Sequence, residues 1–222
     1  MGTASSKAAG LPSLVPLFPL PNVVLFPRMA VPLHVFEPRY RDMVRDALAG
    51  DRVIGMVLLR GDWQSDYDGR PEIFPIGTAG RIVRHEPLPD GRCNIVLAGA
   101  REFGIECEFD DRSYRYARVC WREGTSEPLV PSTRERLLAL ASEYLERRGP
   151  AVWGDVLRRP SRDDEVLVNA MCQTVEVPVI EKQLLLEADS LEARAQQLRK
   201  VIEFCLADVA GPSGTAGGGY AH

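Results

Sequence analysis

The chain has 222 residues, of which 45% are hydrophobic and 26% are charged, and its formal net charge is −4 at pH 7. These values are typical of a soluble globular protein whose core needs neither disulfides nor metal ions for stability. The acidic balance argues against a generally basic nucleic-acid-binding protein, although it leaves room for local basic patches.

The two ends of the chain are expected to lie outside the fold. Residues 1–10 and 210–222 are rich in Gly, Ala and Ser, so we predict a disordered leader and a disordered tail. No signal-peptide pattern opens the chain, and prolines interrupt the one apolar stretch that is long enough to cross a membrane, residues 14–36. We therefore expect a cytoplasmic protein without a membrane partner.

The opening segment from Phe18 to Tyr40 is apolar and is interrupted by proline every few residues. Proline favours extended backbone at the residue before it, and residues 22–26 read NVVLF, so we predict a short strand between rigid connectors. Pro38 suits a first helical position, and apolar residues then recur at helical spacing. This pattern predicts a helix over residues 37–50 that ends at Gly50.

The middle of the chain is predicted to be mainly strand. Residues 52–59 form an apolar run typical of a buried strand, and residues 73–121 are expected to form an antiparallel meander. Within the meander, Pro89, Asp90 and Gly91 make a turn signal between two strands. Strands, one early helix and further strands together predict a small closed or nearly closed sheet.

The last third of the chain is predicted to be helical. Ser132 with Glu135, and Asp189 with Glu192, have the spacing of capping boxes that open helices. Further helices are expected over residues 163–176 and 179–188. The final helix is expected to bury one apolar stripe, which comprises Leu191, Ala195, Leu198, Ile202 and Cys205.

Three stretches resemble the amino-terminal, substrate-binding domain of Lon-family ATP-dependent proteases. They are LVPLFPLPNVVLFPRMAVPLHVFEPRY from residue 14, FPIGTAGRIVRHEPLPDGRCNIVLAGAREFGI from residue 74, and VPVIEKQLLLEADSLEARAQQL from residue 177. They occur in the family's order and span about residues 11–207. The resemblance implies an α+β protein with a PUA-like β pseudo-barrel at residues 11–124 and a C-terminal helical bundle at residues 125–209.

The motifs of the Lon motor and protease are absent from this sequence. No G-x-x-x-x-G-K-[ST] string is present to hold a triphosphate, and the three lysines, Lys7, Lys182 and Lys200, offer no clear partner for a catalytic serine. We therefore expect a non-enzymatic protein that needs no cofactor. The resemblance implies that it binds unfolded or damaged polypeptides, and it makes a separate ATP-dependent protease a candidate partner.

The opening segment is the predicted substrate-binding site. Its prolines remove backbone donors, so large apolar side chains rather than strand pairing would hold an unfolded chain. Each of these side chains has core packing as the alternative. The candidate residues are Phe18, Phe26, Met29, His34, Phe36 and Tyr40.

Other patterns give competing hypotheses. Arginine alternates with tyrosine on one face of the last strand, which is suitable for stacking on RNA bases; the residues are Arg112, Tyr114, Tyr116 and Arg118. His34 and Glu37 are half of a metal site and lack a second histidine, so we expect no bound metal. Cys93 near His85, and Cys172, are candidate nucleophiles, but we favour core packing, because no C-x-x-C pair occurs and buried cysteines are unreactive.

Overall fold

The computed structural model describes residues 10–66, 69–123, 127–148, 156 and 160–209. In these residues the protein is a mixed α+β fold with six strands and five α-helices. The strands are β1 Leu14–Leu20, β2 Ala30–Val35, β3 Val53–Leu58, β4 Ile76–Pro87, β5 Cys93–Phe109 and β6 Tyr116–Trp121. The helices are α1 Pro38–Ala49, α2 Pro131–Arg148, α3 Asp164–Thr174, α4 Val179–Glu187 and α5 Leu191–Val209, and Trp63–Asp66 is a short 3-10 helix.

Residues 1–9 of the predicted leader, the predicted tail and the predicted boundary at residues 124 and 125 fall outside the described residues. The division of the chain into two units therefore stays a prediction. None of the described helices combines the length and the apolar composition needed to span a membrane.

Five of the strands pair in a closed ring. The order around the ring is β5, β4, β3, β1 and β6, and β6 pairs again with β5. β1 runs parallel to β3, and the other neighbours are antiparallel. β2 adds to the outer side of β5 and pairs with no other described strand. Every residue of β3 is buried, which is why this strand reads as an unbroken apolar run rather than an alternating one.

The first helix forms as its local sequence predicts. Glu37 is the N-cap of α1, Pro38 takes the first helical position, and Gly50 is the C-cap. Tyr40, Met43, Val44 and Ala47 are buried along one side of the helix. With residues of β3, β4 and β5 they build one of the hydrophobic clusters. The predicted helix over residues 37–50 is therefore confirmed.

The strand predicted at residues 22–26 is wrong. The strands of this part of the chain lie on either side of that stretch, at Leu14–Leu20 and Ala30–Val35, and residues 23–26 have no regular secondary structure. Their backbone is bound by a side chain instead: the N–H of Phe26 donates to Oε1 of Gln173 (3.1 Å), and Nε2 of Gln173 donates to the carbonyl of Val24 (3.0 Å). One amide group on α3 thus supplies the pairing that a neighbouring strand would have given.

The two capping boxes are also wrong. Ser132 lies inside the first turn of α2 rather than before it. Asp189 is not the cap of α5, because the hydroxyl of Ser190 accepts the N–H of Ala193 (3.1 Å). The helices themselves are where the apolar periodicity puts them. The stripe predicted for the last helix is buried throughout, so the interpretation of its 3.6-residue period is confirmed.

The helices meet the ring of strands through a cluster that we call the polar junction, made of Glu102, Arg122, Asn169 and Arg194. Arg194 is fully buried; it forms an ion pair with Glu102 and donates to Oδ1 of Asn169 (2.7 Å). Arg122, just after β6, lies 3.4 Å from the same Glu102 carboxylate and donates to the carbonyls of Leu186, Glu187 and Ala188. The polar junction therefore joins β5 and the end of β6 to α3, α4 and α5.

Candidate functional site

Three of the predicted substrate-binding residues are core residues. Phe18, Phe26 and Tyr40 are only 4%, 0% and 5% exposed. The rings of Phe18 and Tyr40 pack with their centroids 4.5 Å apart, and the guanidinium of Arg194 lies over the ring of Phe26 at 5.6 Å. Phe18 and Phe26 cannot contact a partner from this conformation, and Tyr40 exposes only a small part of its surface, into a neighbouring cavity. Phe26→Ser would therefore report on folding rather than on binding.

The other three predicted residues are nearer to solvent. Met29 is half-buried and packs against two hydrophobic clusters. His34 is exposed, and Phe36 is 58% exposed, which is unusual for so large an apolar side chain. The rings of His34 and Phe36 stack with their centroids 6.1 Å apart.

His34 lines a depression of about 380 Å³ on the β2, β5 and β4 strands, which we call the strand groove. It is lined by Pro32, Leu33, His34, Arg84, Glu86, Asn94, Ile95 and Val96. The strand register explains this grouping. Val96 of β5 lies between Pro32 of β2 and Arg84 of β4, and Asn94 lies in the same way between His34 and Glu86. The exposed area of the lining is mainly apolar, although four of its eight residues are polar or charged: His34, Arg84, Glu86 and Asn94.

The imidazole of His34 has a fixed orientation. Its Nδ1 donates to Oδ1 of Asn94 (2.8 Å), and its Nε2 lies 3.4 Å from Nη1 of Arg92. Arg92 is itself held by Asp90 at 2.6 Å, and the hydrogen bond from Arg92 lowers the pKa of the Asp90 carboxyl. This chain of contacts keeps one wall of the strand groove in place and positions the ring on which Phe36 stacks.

The open edge of β2 has no amide donor at its centre. The N–H of Gly99 donates to the carbonyl of Met29 (2.7 Å), so hydrogen-bonded pairs alternate along β2 from that point. The Pro32–Val96 pair is then a non-hydrogen-bonded pair, in which the polar groups of β2 face away from β5. The missing N–H of Pro32 therefore falls on the exposed edge rather than in the ladder.

A second depression, of about 370 Å³, unites residues from both sequence-based site hypotheses. We call it the arginine cavity, and its charged and aromatic lining is Arg39, Tyr40, Arg70, Asp110, Arg112, Tyr114 and Arg115. The first turn of α1, the segment before β4 and the connection from β5 to β6 all contribute to it. Tyr40 was predicted in one site, and Arg112 and Tyr114 in the other.

The face predicted for RNA stacking is occupied by contacts within the chain. Tyr114 is buried and donates its hydroxyl to Asp46 (2.8 Å). The guanidinium of Arg112 lies over the ring of Tyr116 at 4.9 Å, and that ring stacks on Phe109 at 5.0 Å. Arg118 is exposed, with its guanidinium 5.9 Å from the ring of Phe109. The aromatic faces that would receive bases are thus largely covered by the protein itself.

The candidate metal ligands His34 and Glu37 contact other side chains, and the candidate nucleophiles Cys93 and Cys172 are buried. Glu37 binds Arg39 at 2.9 Å, and no group of three or more His, Cys, Asp or Glu among the described residues is suitable for a metal ion. Cys172 is fully buried, and burial raises the pKa of its thiol to about 12. Burial also raises the pKa of the Cys93 thiol, and this side chain lies in the core while His85 is exposed.

Sequence reasoning missed the polar junction and the Gln173 contact. One signal for the former was present, because Arg194 lies three residues after Leu191 and four before Leu198, on the apolar stripe of α5. A charged residue at a core position of a helix points to a buried partner. Nothing local identifies Glu102 as that partner, since it is 92 residues earlier in the chain.

Comparisons with known proteins agree on one family. The family model described as the ATP-dependent protease La (LON) substrate-binding domain matches residues 14–204. The Lon protease of Cytophaga hutchinsonii is 27% identical over 197 residues, covering 86% of this chain and 24% of the relative. The Lon protease of Trichlorobacter lovleyi is 30% identical over 199 residues, covering 86% of this chain and 23% of the relative. The chain thus spans about a quarter of the length of the curated relatives that it matches.

Two solved structures share the fold. A Lon N-terminal domain protein from Xanthomonas campestris has a TM-score of 0.61 and 26% identity, covering 83% of this chain and 96% of that one. The N-terminal domain of the Mycobacterium avium complex Lon protease has a TM-score of 0.65 at 18% identity, covering 86% of this chain and 98% of that one. The second similarity is evidence of fold alone.

Proposed function

Because this chain belongs to the family of ATP-dependent protease La (Lon) substrate-binding domains, we propose that it binds exposed apolar segments of unfolded or damaged polypeptides. Binding requires no chemistry by the chain, so we propose a non-enzymatic module that needs no cofactor. A role as adaptor or regulator of a separate ATP-dependent protease is part of this proposal. The free cysteines among the described residues suit a reducing cytoplasm.

We also propose that the chain consists of a PUA-like pseudo-barrel followed by a helical bundle. The closed ring of five strands with β2 added outside it suits a PUA-like pseudo-barrel, and the four helices after residue 130 suit a C-terminal bundle. In this arrangement α1 packs on the strands, and the later helices share a core with the opening segment.

The single observation that carries the binding proposal is Phe36, which is 58% exposed beside the strand groove. An exposed aromatic ring that stacks on a residue of the groove lining is a surface that an unfolded chain can use, because such chains present uncovered apolar side chains. His34 supports the ring from below, so little conformational entropy is lost when a partner packs on it.

Replacement of Phe36 tests the proposal. Burying a phenylalanine side chain contributes about 1.5–3 kcal/mol, so Phe36→Ser is expected to weaken capture of a permanently unfolded protein by roughly tenfold or more. The measurement is fluorescence anisotropy with a labelled, reduced and alkylated model protein. The melting temperature should stay close to that of the unmodified protein, because the ring is largely in solvent.

The matched control is Phe204→Ser. Phe204 is 75% exposed near the end of α5, so the substitution removes the same exposed ring from a surface outside the strand groove. We expect capture to be retained. Equal loss in both variants would point to nonspecific adhesion, and unchanged capture in Phe36→Ser would contradict the strand groove as the binding surface.

The comparisons lend the RNA-binding alternative no support. The tyrosine rings of the predicted RNA-stacking face also contact groups of the chain itself, since Arg112 lies over Tyr116 and Tyr116 stacks on Phe109. We therefore propose polypeptide binding rather than RNA binding.

A further inference from the structure

The arginine cavity has a lining in which positive charge exceeds negative charge. Four arginines, Arg39, Arg70, Arg112 and Arg115, line it, and Asp110 is the one carboxylate among the described lining residues. The chain as a whole is acidic, with a formal net charge of −4, so this concentration is local. The remaining lining includes Pro19, Leu59, Pro71 and the two tyrosines, which supply apolar walls.

Two of the arginines are neutralised by carboxylates of the protein. Arg115 binds Glu108 through two parallel hydrogen bonds, from Nε (2.7 Å) and from Nη2 (2.8 Å). Arg39 binds Oε2 of Glu37 through Nε (3.0 Å) and Nη2 (2.9 Å). The Arg115 pair is bidentate, with one bond to each carboxylate oxygen, while both donors of Arg39 share one oxygen of Glu37; in each case the carboxylate offsets the charge of the guanidinium.

The other two arginines are held mainly by neutral oxygen atoms. Arg70 donates to the carbonyl of Phe109 (2.6 Å), and its nearest carboxylate, Asp110, is 4.0 Å away on a largely exposed side chain. Arg112 donates to the hydroxyl of Tyr114 (2.7 Å), while Asp46 is 3.6 Å away. Neutral acceptors fix the direction of a guanidinium without cancelling its charge, so both groups are positioned to bind an added anion.

We propose that the arginine cavity binds a carboxylate group of a polypeptide through Arg70 and Arg112. This inference rests on the proposed function and narrows its substrate class to apolar segments that carry an acidic side chain or a free carboxyl terminus nearby. The first turn of α1 links the two surfaces, since Phe36 directly precedes the N-cap Glu37, and Arg39 and Tyr40 of the cavity follow it. The aromatic contact at Phe36 and the cationic lining at Arg39 are thus three residues apart in the chain, and in this proposal one bound segment uses both.

The test uses short peptides without apolar residues, so that it is independent of the strand groove. Acetyl-GSEEGS-amide, its GSQQGS counterpart, and acetyl-GSGSGS with a free carboxyl terminus are titrated into the full chain, with NMR of the arginine Nε–Hε groups as the readout. We expect saturable shifts at lining arginines with carboxylate peptides and none with the glutamine peptide. The first and third peptides distinguish a side-chain carboxylate from a terminal one.

Variants connect the shifts to the named residues. Arg70→Gln with Arg112→Gln is expected to weaken binding of the carboxylate peptide at least about tenfold, because charge-assisted hydrogen bonds are lost. If the double variant does not fold, Arg70→Gln alone is expected to weaken binding of the carboxylate peptide as well. The control, Arg136→Gln with Arg199→Gln, removes equal charge from α2 and α5 outside the cavity and should leave binding unchanged.

The inference would be overturned by no shifts with either carboxylate peptide, by equal shifts with the glutamine peptide, or by equal loss in the control. Tighter binding of a single-stranded RNA oligomer at the same arginines would also overturn it in favour of a phosphate ligand. None of these results alters the expectation for Phe36→Ser. Failure of the carboxylate site and failure of apolar binding are therefore separate outcomes.

Discussion

Arg194 makes more buried contacts than the sequence pattern around it would suggest. Its side chain is fully buried, and it donates to Asn169, to the Glu102 carboxylate and to the carbonyls of Leu185 and Leu186. Each acceptor belongs to a buried residue, and Glu102 and the carbonyl of Leu186 also have a second donor, in Arg122. Removing one partner of a buried ion pair leaves the other charge uncompensated, which costs far more than the net value of the pair.

Arg194→Met is therefore expected to lower the free energy of unfolding by about 3 kcal/mol or more. The pairing of Glu102 with Arg122 offsets part of the loss, since that carboxylate keeps one cation at 3.4 Å. Urea denaturation followed by circular dichroism measures the change. Arg199→Met, on the same helix at a partly exposed position, should change stability by less than about 0.5 kcal/mol, and a similar loss there would contradict the role of the polar junction.

At the scale of elements, the opening segment is held in place by side chains rather than by strand pairing. The carboxamide of Gln173 bonds to both Val24 and Phe26, and Nδ2 of Asn169 donates to the carbonyl of Pro27 (3.1 Å). Gly99 permits this close approach, because a Cβ on it would lie 2.3 Å from the carbonyl oxygen of Phe26. The segment therefore passes between the ring of strands and α3.

Gln173→Ala is expected to destabilise the protein by roughly 1–3 kcal/mol, because it leaves a buried donor and a buried acceptor without partners. The amide of Phe26 should also exchange faster with deuterium, a readout specific to this contact. Gln196→Ala on α5 is the control, since Gln196 is exposed and its Nε2 donates to Oε1 of Glu192, one turn away on the same helix. Unchanged exchange at Phe26 would show that the backbone of this segment is protected by packing alone.

The elements that sequence reasoning predicted correctly are those whose signals are local. The first helix is defined within a dozen residues by Pro38, by its apolar spacing and by Gly50, and the stripe of α5 is defined by its own period. The NVVLF segment has strand composition, but its partner Gln173 lies 147 residues from Phe26. Burial of Phe18, Phe26 and Tyr40 likewise depends on which distant elements cover them, so composition could identify the candidates but not their exposure.

At the scale of the whole molecule, sheet and helices share one core. Val24, Phe26 and Leu58 belong to the same hydrophobic cluster as buried residues of α2, α3, α4 and α5. The polar junction crosses the same boundary with hydrogen bonds. Elements that share buried surface to this extent lose it together, so we expect one cooperative unfolding transition.

Buried thiols on the two sides of that boundary measure this cooperativity. Cys93 lies in the cluster around α1, and Cys172 lies in the cluster of the helices. Brief alkylation at increasing urea concentrations, read by mass spectrometry, should show both thiols becoming reactive at the same midpoint. The exposed Cys107 and Cys120 should react throughout and serve as the reference. An earlier midpoint for either buried thiol would indicate two independently folding units.

The position of Pro32 has a consequence for the proposed binding of unfolded polypeptides. Misfolded chains grow into cross-β fibrils by adding each new strand to an amide row left open at a sheet edge. Pro32 lies in the middle of β2 and has no N–H, so the outer edge of β2 does not offer an unbroken row of amides. If the protein binds unfolded polypeptides as we propose, Pro32 is expected to keep an aggregation-prone chain from adding to this edge as a further strand.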